Sequence, residues 1–564
     1  MGARLGTGRG PCRRAPELAE SRFNSPAAAP SWGHPFKLTE PPFSGRTRPM
    51  EELSSGFTLS SLEDHLDAPR GWGRLGDSRH CGSAGGAPCG DLVRLAVRVE
   101  GETVVDAGFD AHGCAAARAA GSAVVELVLG APLLEAARLQ PAAVAAELGG
   151  LSPERAHAAE QLHGALGAAC ADGAAELAPK AGRTLVAMSG GVDSAVAAQL
   201  ALDRGDEVVA VTLELWSDSA GDDEKSCCSP QAVVGARALA HRMGLPHITL
   251  DMRDAFRRRV VDDFVAGHAA GDTPNPCVRC NGLVRFDGML ELAGRLGAAR
   301  LATGHYARVA HDPEGALVRR AADPAKDQSY MLARVDPAHL ASLDFPLGEL
   351  TKPEVRDIAR ANALPVAERP ESQDLCFLAG TDGRSFLRRH GGPAPAPRGG
   401  RRGQIVDLRG RVVGTHDGQH LFTVGQRRGI GVSGPVPLYV VRKDAARDRV
   451  VVGPRTALAR RRVEIGGAVL YRDGAEVDAV KLRYRSRAVP CRIESDAGRG
   501  RHRRLTLELE TAVDGVAPGQ VACLLRDDVV VGLATIRASA HTGDEPPARA
   551  EETEPLTREV AVAV

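Results

Sequence analysis

The sequence lacks any long apolar segment. No apolar run approaches the roughly 20 residues that a membrane-spanning helix needs. No apolar segment follows the arginines near the N-terminus, so we expect neither a membrane anchor nor a secretory signal. An excess of one charge is also missing, because 71 Lys and Arg residues balance 71 Asp and Glu residues among the 564. Net charge therefore gives no indication of a nucleic-acid partner, and only local basic patches could do so.

A regular disulfide pattern is absent as well, although cysteine is not scarce. The 12 cysteines stand at irregular spacings, several of them beside Gly, Asn or Pro. This arrangement favours thiol chemistry in a reducing compartment over a disulfide framework. We therefore expect a cytoplasmic protein without membrane association.

Composition divides the chain into blocks, because 564 residues are too many for one hydrophobic core. Residues 1–75 are rich in Gly, Pro, Ser and Arg without apolar periodicity, and residues 541–564 are rich in Glu, Pro and Ala. Both segments are predicted to be disordered. Between them the sequence predicts an α+β domain over 76–176, an α/β domain over 180–385, a small mixed domain over 386–455 and a β-barrel over 456–540.

The α/β domain is predicted from alternating strand and helix patterns, which are typical of a parallel sheet covered on both faces. Its candidate strands are 185–187, 207–211, 247–250 and 300–303. From about residue 400, short β-type runs punctuated by glycine replace this pattern, which favours the mixed domain and the barrel.

A glycine turn inside the first of these patterns is the most informative segment. The string Ser-Gly-Gly-Val-Asp-Ser at 189–194 lies between an apolar run and a helical pattern, which predicts a strand, a turn and a helix. Paired glycines let the backbone approach a phosphate, and the first N–H groups of a helix point at an anion. Ser189 and Ser194 add hydroxyl donors, and Asp193 is placed to hold Mg²⁺ or to position a nucleotide. The turn lacks the lysine of the Walker loop and resembles the pyrophosphate loop of ATP pyrophosphatases.

A second motif places two cysteines in a stiff loop. The string at 273–281 is Thr-Pro-Asn-Pro-Cys-Val-Arg-Cys-Asn, and its two prolines can hold a thiol at fixed geometry. The pair Cys277 and Cys280 suits a redox pair, half a zinc site or part of an iron–sulfur ligand set. No second C-x-x-C completes a four-cysteine zinc site. A third thiol, Cys376, lies beside Leu and Phe and by itself would be taken for a core residue.

Seven strings in this order resemble the tRNA-specific 2-thiouridylase family over about 183–540. They are Ser-Gly-Gly-Val-Asp-Ser (189–194), Thr-Pro-Asn-Pro-x-Val-x-Cys-Asn (273–281), Thr-Gly-His-Tyr-Ala-Arg (303–308), Lys-Asp-Gln-Ser-Tyr (326–330), Phe-Pro-Leu-Gly (345–348), Ser-Gln-Asp-Leu-Cys-Phe (372–377) and Thr-Val-Gly-Gln-Arg-Arg-Gly-Ile-Gly (423–431). The resemblance implies a pyrophosphate-loop domain with an adenine-nucleotide α-hydrolase-like parallel sheet, then a small mixed domain and a C-terminal β-barrel.

The resemblance also implies ATP and Mg²⁺ as cofactors and tRNA as the substrate. The residues it assigns to ATP are Ala187, Met188, Ser189, Gly190, Gly191, Val192, Asp193 and Ser194, with Leu213 near the adenine and Gly304 completing the pocket. The enzyme would adenylate the C2 oxygen of the wobble uridine, and a persulfide sulfur on Cys376 would then attack C2. Cys280 occupies the nucleophile position and would release the sulfur, leaving a Cys280–Cys376 disulfide to be reduced. The sulfur donor would be a partner such as a cysteine desulfurase or a sulfur relay protein.

One position departs from the family's common pattern, because many members carry Asp where this chain has Cys277. Three thiolates, at 277, 280 and 376, could hold a [4Fe–4S] cluster with one open iron that delivers sulfide. Both the persulfide route and the cluster route therefore stay open. The positions that the resemblance assigns to tRNA are Asn275, Pro276 and Cys277 at the target base, and Lys326, Asp327, Gln328, Arg483 and Tyr484 elsewhere; the base must leave the anticodon stack to be reached.

The segment before the α/β domain resembles an iron–sulfur cluster assembly scaffold of the NifU type, over about 78–175. The strings that carry it are Pro-Cys-Gly-Asp at 88–91 and Phe-Asp-Ala-His-Gly-Cys at 109–114. The resemblance implies Cys89, Asp91 and Cys114 as metal or cluster ligands. The family's third cysteine should follow His157, but Ala158 stands there, and the candidate replacements are Cys81 and Cys170. The domain could instead relay sulfur through Cys89 or Cys114, or serve as a docking module.

Two other functions for the whole chain remain as alternatives. Another adenylating pyrophosphatase, such as an amidotransferase-type synthetase, would use the glycine turn but has no use for Cys280 and Cys376. A cluster assembly scaffold with a silent ATPase belongs to a different class, and it would leave tRNA unchanged.

Overall fold

The chain forms two compact units, residues 1–176 and 177–564, which are taken in turn. The computed structural model describes residues 62–74, 80–85, 90–216, 230–370, 375–378, 382–390 and 402–538. The predicted disordered tail at 541–564 and most of the predicted disordered segment 1–75 lie outside the described residues.

The N-terminal unit is an α+β fold, as predicted. Its elements are α1 (Leu62–Asp67), β1 (His80–Gly85), β2 (Leu92–Glu100), β3 (Thr103–His112), α2 (Ala115–Val128), α3 (Leu133–Ala136), α4 (Pro141–Glu147) and α5 (Ala156–Gly173). The three strands form an antiparallel sheet in the order β1-β2-β3, and α5 packs against it. The approach is close, because a Cβ on Gly82 would lie 1.9 Å from the carbonyl oxygen of Ala165.

The prediction of disorder up to residue 75 is wrong at its C-terminal end, where α1 lies. His65 of α1 is fully buried, and its Nδ1 lies 2.8 Å from the hydroxyl of Ser122 on α2. Trp72 packs edge-on against Phe109, with ring centroids 5.7 Å apart. The contacts of His65 and Trp72 order this segment. The average composition of a long Gly- and Pro-rich region does not reveal such contacts.

The α/β domain opens the second unit, and all four predicted strands form. Its elements are β4 (Lys180–Ala187), α6 (Val192–Asp203), β5 (Glu207–Glu214), α7 (Pro230–Arg242), β6 (His247–Asp251), α8 (Arg253–Phe256), α9 (Asp262–Ala269), α10 (Pro276–Cys280), α11 (Phe286–Arg295), β7 (Ala298–Thr303), β8 (Ala307–Asp312), β9 (Gly315–Arg320), α12 (Ser329–Leu332), β10 (Leu343–Asp344), α13 (Lys352–Ala361) and α14 (Gly383–His390). The parallel sheet has the order β10-β7-β4-β5-β6. Its carboxyl edge therefore gathers the loops that follow these strands, which is where ligands bind in open α/β sheets.

Two helical stretches of this domain contain a π-helical turn. Residues Arg257–Val261 join α8 to α9, and residues Asn281–Arg285 join α10 to α11. The second turn directly follows the predicted nucleophile Cys280. Such turns are rare and often lie at functional sites.

The small mixed domain and the barrel follow, as predicted. The small domain contains β11 (Gly403–Val406), β12 (Val412–His416), β13 (Tyr439–Asp444) and β14 (Arg449–Gly453), and the barrel contains β15 (Ala459–Leu470), β16 (Ala479–Lys481), β17 (Val489–Ile493), β18 (Gly500–Asp514), β19 (Val521–Arg526) and β20 (Val529–Ile536). The small sheet has the order β12-β11-β14-β13, and pairing of β15 with β20 closes the barrel.

One hairpin crosses the predicted boundary between the α/β domain and the barrel. Strands β8 and β9 lie within the 180–385 segment, but they extend the barrel sheet through the pairing of β9 with β20. The loop after β7 therefore links the carboxyl edge of the parallel sheet to the barrel. In the part of the chain that is described, no helix is long and apolar enough to cross a bilayer.

Candidate functional site

The glycine turn lies between β4 and α6 and is held in shape by its own side chains. Gly190 has a φ of +76°, a conformation that side chains rarely adopt, and Gly191 caps α6 with an extended backbone. The hydroxyl of Ser194 donates to the carbonyl of Gly191 at 2.9 Å and accepts from the backbone N–H of Ser189 at 3.2 Å. The turn is therefore preformed for an anion at the helix start.

Asp193 is the best-connected residue of this turn. Its Oδ1 accepts from the Tyr306 hydroxyl at 2.8 Å and from the Lys352 ammonium at 2.6 Å. The Lys352 side chain is only 10% exposed, so this ion pair is screened less than a surface pair. Lys352 is the first residue of α13, and its backbone N–H donates to Asp323 Oδ2 at 3.1 Å. This lysine places a positive charge at the loop, and the sequence analysis missed it.

Gly304 and Leu213 lie at the same edge of the sheet as the turn. A Cβ on Gly304 would come within 2.8 Å of the backbone of Asp193 and Ser194, so only glycine allows this close approach to α6. Leu213 is buried near the end of β5, which pairs with β4 through Ala187 and Val211. The structure thus brings all the residues predicted for ATP to one edge. Arg369 adds a further cation there, because its Nη1 donates to the carbonyl of Gly190 at 2.8 Å.

The two predicted loop cysteines lie one turn apart on α10. Cys277 is half-buried, and Cys280 is 6% exposed. Asn275 caps the helix by accepting from the backbone N–H of Val278 at 3.1 Å, and Pro276 is its first residue. Pro and Asn suit these two positions because Pro needs no N–H donor there and Asn supplies the capping oxygen. The motif therefore fixes the cysteines by helix capping rather than by an extended loop.

The loop before α10 is clamped by the small domain and the barrel. The Thr273 N–H donates to Pro518 at 2.7 Å, and Gln520 Nε2 donates to the Thr273 carbonyl at 2.6 Å. Lys443 Nζ of the small domain donates to the Asp272 carbonyl at 3.3 Å. Burial lowers the pKa of Lys443 to about 8, against the opposing charge of Asp272. The cysteine helix is thus positioned by all three parts of the unit.

Cys376 lies in a short 3₁₀ turn, Cys376–Leu378, and is half-buried. Its neighbour Phe377 is buried against Phe264 of α9, with ring centroids 5.3 Å apart. On the other segment, Arg279 pairs with Asp263 of α9 at 3.2 Å. Both cysteine-bearing segments therefore rest on the same helix.

A chain of hydrogen bonds joins the glycine turn to the cysteine helix. Tyr306, whose hydroxyl donates to Asp193, also donates its backbone N–H to Gln328 Oε1 at 2.9 Å. Two residues after Gln328, the Tyr330 hydroxyl donates to the Val521 carbonyl at 2.9 Å and bonds to the side chain of Asn275. The Lys-Asp-Gln-Ser-Tyr string thus connects the glycine turn to the cap of α10.

Asp327, which was predicted to contact tRNA, has a buried side chain in the structure. Its side chain is 1% exposed, and its oxygens accept from the backbone N–H groups of Ala321 and Ser329 at 3.2 and 3.1 Å and from Lys481 Nζ at 3.3 Å. The carboxylate therefore holds the turn together instead of reaching a ligand. Its neighbours Lys326 and Gln328 are half-buried.

The other predicted RNA positions have mixed environments. The Arg483 guanidinium donates to the carbonyls of Gly515 and Val424, so it ties the small domain to the barrel. Tyr484 is half-buried, and its ring lies 6.3 Å from that of Tyr330. Asn275 and Pro276 already act in the helix cap. The third position predicted at the base, Cys277, has a half-buried side chain.

In the N-terminal unit, three potential ligands meet in one cluster. The ligand atoms of Asp91, Cys114 and His157 all lie within 4.8 Å of one another. His157 Nε2 lies 3.1 Å from Asp91 Oδ2 and 3.8 Å from Cys114 Sγ. Burial would raise the pKa of Asp91, but hydrogen bonds from Cys114 and His157 outweigh it and lower that pKa. A thiol, an imidazole and a carboxylate are suitable ligands for zinc, so the residues fit a metal ion.

His157 itself is a third potential ligand beside Asp91 and Cys114. The sequence analysis used this histidine only to mark the missing cysteine at Ala158. Cys170, a candidate replacement, is 1% exposed, and burial raises the pKa of its thiol to about 12. Cys81 is disulfide-bonded, so neither replacement offers a thiolate. Cys89 lies outside the described residues.

The chain matches four protein families in succession. The NifU-like N terminal domain matches residues 60–176, and the tRNA methyl transferase HUP domain matches 182–380. The tRNA methyl transferase PRC-barrel domain matches 386–454, and the aminomethyltransferase beta-barrel domain matches 473–536.

Curated proteins are similar to this chain over most of their own length. The bifunctional protein NifU/MnmA of Rubrobacter xylanophilus is 45% identical over 480 residues, which cover 82% of this chain and 95% of that protein. The tRNA-specific 2-thiouridylase MnmA of Rhodospirillum centenum is 44% identical over 371 residues, which cover 63% of this chain and 91% of that protein. The enzyme of the same name from Chloroflexus aurantiacus is 42% identical over 354 residues, covering 62% and 96%. Because the match to the Rubrobacter protein includes both units, the chain belongs to the tRNA-specific 2-thiouridylase family, in the form that joins a NifU-like domain to the thiouridylase domains.

Proposed function

We propose that this protein is an ATP-dependent sulfurtransferase that converts the wobble uridine of tRNA to 2-thiouridine. The observation that carries the proposal is the hydrogen-bonded connection from Asp193 through Tyr306 and Tyr330 to the cap of the cysteine helix. It couples a phosphate-binding turn to a pair of thiols within one unit. An enzyme that activates a base and then transfers sulfur needs both.

The first step activates the uridine. The C2 oxygen attacks the α-phosphorus of ATP, the bond to the β,γ-phosphates breaks, and pyrophosphate leaves. The backbone N–H groups at the start of α6 would bind the departing phosphates. Asp193 is the residue that would hold Mg²⁺, which when bound neutralises phosphate charge. Lys352 pairs with Asp193 at 2.6 Å and adds a positive charge beside the same phosphates.

The second step transfers sulfur. The terminal sulfur of a persulfide on Cys376 attacks C2, and the C2–O bond breaks to release AMP. The Cys280 thiolate then attacks the Cys376 sulfur, which breaks the S–S bond and leaves the thione on the tRNA. A Cys280–Cys376 disulfide remains, and an external dithiol must supply two electrons to reduce it. The shared support of both segments on α9 favours this pairing.

Cys277 is the reason to keep a second route for sulfur transfer, through an iron–sulfur cluster. It lies one helical turn from Cys280 and is half-buried, so these two thiolates and Cys376 could ligate a [4Fe–4S] cluster. The cluster would supply sulfide in place of the persulfide, while the first step would stay the same.

Cys277→Asp separates the two routes. Under the persulfide route we expect the variant to retain most of its thiolation activity, because a half-buried position accepts a carboxylate at small cost and the two reacting thiols remain. Activity and iron content would be measured on protein purified without oxygen. Loss of both together would favour the cluster, and Cys277→Ser controls for the size of the side chain.

The N-terminal unit would handle sulfur or metal for the same reaction. Asp91, Cys114 and His157 would hold a zinc ion or a cluster, which when bound would fix the Cys114 thiolate. A cysteine desulfurase or a relay protein would deliver sulfur to this unit. Joining donor and acceptor in one chain raises the effective concentration of the donor.

The proposal predicts the products of a defined assay. Full-length protein, ATP, Mg²⁺, a desulfurase with cysteine, a dithiol and an unmodified transcript with a wobble uridine should yield 2-thiouridine, AMP and pyrophosphate in equal amounts. A transcript with cytidine at that position is the control and should yield none of the three. Mass spectrometry of the nucleosides is the measurement. Unchanged tRNA, together with transfer of iron–sulfur clusters to an acceptor protein, would favour a scaffold instead.

A further inference from the structure

A partly buried arginine lies beside the cysteine helix, on the turn after α12. The Tyr471 hydroxyl donates to the carbonyl of Ala333 at 3.0 Å and lies 3.5 Å from that of Val335, on either side of Arg334. Asn281 Nδ2, in the π-helical turn, donates to the Met331 carbonyl at 3.2 Å. These bonds fix the backbone of Arg334 against the turn that follows Cys280.

The stem of Arg334 lies on a glycine of that same turn. A Cβ on Gly282 would fall 2.4 Å from Arg334 Cγ and 2.7 Å from its carbonyl oxygen. Only glycine therefore admits the arginine at this distance from the helix. The Arg334 side chain is consequently held close to the helical segment that carries Cys277 and Cys280.

The charges around Arg334 are mostly of its own sign. Burial lowers the pKa of Arg334, and the positive charges of Arg279 and Arg501 lower it further. Asp263 is the opposing carboxylate, but it already pairs with Arg279 at 3.2 Å. Across the described residues, the Arg334 and Arg501 guanidinium groups have no carboxylate at ion-pair distance. Arg279 of α10 and Arg334 thus share one carboxylate, Asp263, and Arg501 of β18 adds a third positive charge near Arg334.

Such a cluster is unfavourable in the free protein and becomes favourable when an anion binds. Partly desolvated like charges repel each other, and a phosphate removes that repulsion while accepting two parallel N–H bonds from a guanidinium. Arg279 stands between the two α10 cysteines in sequence. An anion bound by Arg279 would therefore lie on the same short helix as the two thiols.

We propose that Arg279, Arg334 and Arg501 form a binding site for a backbone phosphate of the RNA substrate, next to the nucleotide that reacts. This inference rests on the proposed function, because a flipped nucleotide needs its flanking phosphates to be held. A phosphodiester fits better than free phosphate. Arg501 is exposed on the barrel, and this exposure suits an RNA chain that continues past the site. Sequence reasoning did not single out these three residues, because at least 55 positions separate each from the next along the chain. Only the fold brings them together.

The test measures binding of an anticodon stem-loop transcript over a range of salt concentrations. Arg334→Met keeps an unbranched stem over Gly282 and removes the charge. We expect affinity to fall by about 3- to 10-fold and the slope of log K against log salt to decrease by about 1, as for loss of one phosphate contact. Arg334→Lys should recover part of both. The KM for ATP should not change, whereas a merely structural defect would alter it.

A matched control and a second variant complete the test. Arg492→Met removes an equal charge from an exposed barrel residue that pairs with Glu508 at 2.5 Å, and it should leave the slope unchanged. Arg501→Met should reproduce the slope change without touching the packing at Gly282. Wild-type affinity and slope in both Arg334→Met and Arg501→Met would overturn the site while leaving the proposed function intact. Failure of the wild-type protein to bind or thiolate any wobble-uridine transcript would overturn both. Displacement of the stem-loop from wild type but not from Arg334→Met by millimolar inorganic phosphate would support the site, because it would show that the RNA and free phosphate compete for the same arginines.

Discussion

Asp193→Asn is expected to lower the rate of pyrophosphate release by about two to three orders of magnitude, the usual effect of removing one preorganised electrostatic group from an active site. Asparagine has nearly the same shape, so the helix start should be kept. It cannot offer a negative oxygen to Mg²⁺, and it leaves the Lys352 ammonium, 10% exposed, without its 2.6 Å carboxylate partner. Both losses act on the phosphate chemistry and not on the thiols.

The measurement is pyrophosphate release at saturating ATP with a wobble-uridine transcript. Asp203→Asn is the matched control, because Asp203 lies at the other end of α6, is exposed, and accepts from Gln199 at 2.8 Å. It should release pyrophosphate at the wild-type rate. If Asp193→Asn also does so while folding normally, the turn is not the nucleotide site.

The Tyr306→Phe variant should release pyrophosphate at a rate between those of the wild type and Asp193→Asn. It removes a single hydrogen bond to Asp193 and keeps the Lys352 ion pair. A hydrogen bond to a charged group contributes about 1.5–3 kcal/mol, so its effect on pyrophosphate release should be smaller than that of Asp193→Asn. An equal loss in both variants would mean that the orientation of the carboxylate, rather than its charge, controls the step.

Local sequence was enough to predict the glycine turn, because that turn depends on short-range backbone rules. Paired glycines before an apolar helix pattern predict a phosphate-binding turn. At 273–281 the two prolines indicated an extended loop, whereas Asn275 and Pro276 cap the start of a helix, α10. The parallel sheet was predicted from strand and helix alternation in the same way. In each case, the residues that determine the structure are neighbours in the chain.

Long-range contacts were not predictable from one sequence. Lys352 lies 159 positions from the Asp193 that it contacts, and its sequence context indicates only a helix start. Asp327 has a polar neighbourhood in the sequence, yet its oxygens are buried by donors from Ala321, Ser329 and Lys481. His157 became a potential ligand only because α5 brings it to Asp91. All three contacts arise from tertiary folding, which composition and periodicity do not encode.

Cys280→Ser should abolish sulfur transfer while leaving activation of the uridine intact. Loss of a nucleophile costs about 10³-fold or more, because a serine hydroxyl is not ionised near neutral pH and cannot break an S–S bond. Pyrophosphate release should stay near the wild-type rate, since no hydrogen bond in the connection from Asp193 to Asn275 involves the Cys280 sulfur. The variant therefore separates the two proposed steps.

Nucleoside mass spectrometry and a pyrophosphate assay on the same sample are the two measurements. Cys491→Ser is the matched control, because Cys491 is also 6% exposed and burial raises the pKa of its thiol to about 12. It should thiolate normally, with a loss of stability of about 1–3 kcal/mol from burying a hydroxyl. Wild-type thiolation by Cys280→Ser would remove this residue from the reaction. Loss of pyrophosphate release in Cys280→Ser, but not in Cys491→Ser, would instead mean that the thiol takes part in activation, so that the two steps are not separable at this residue.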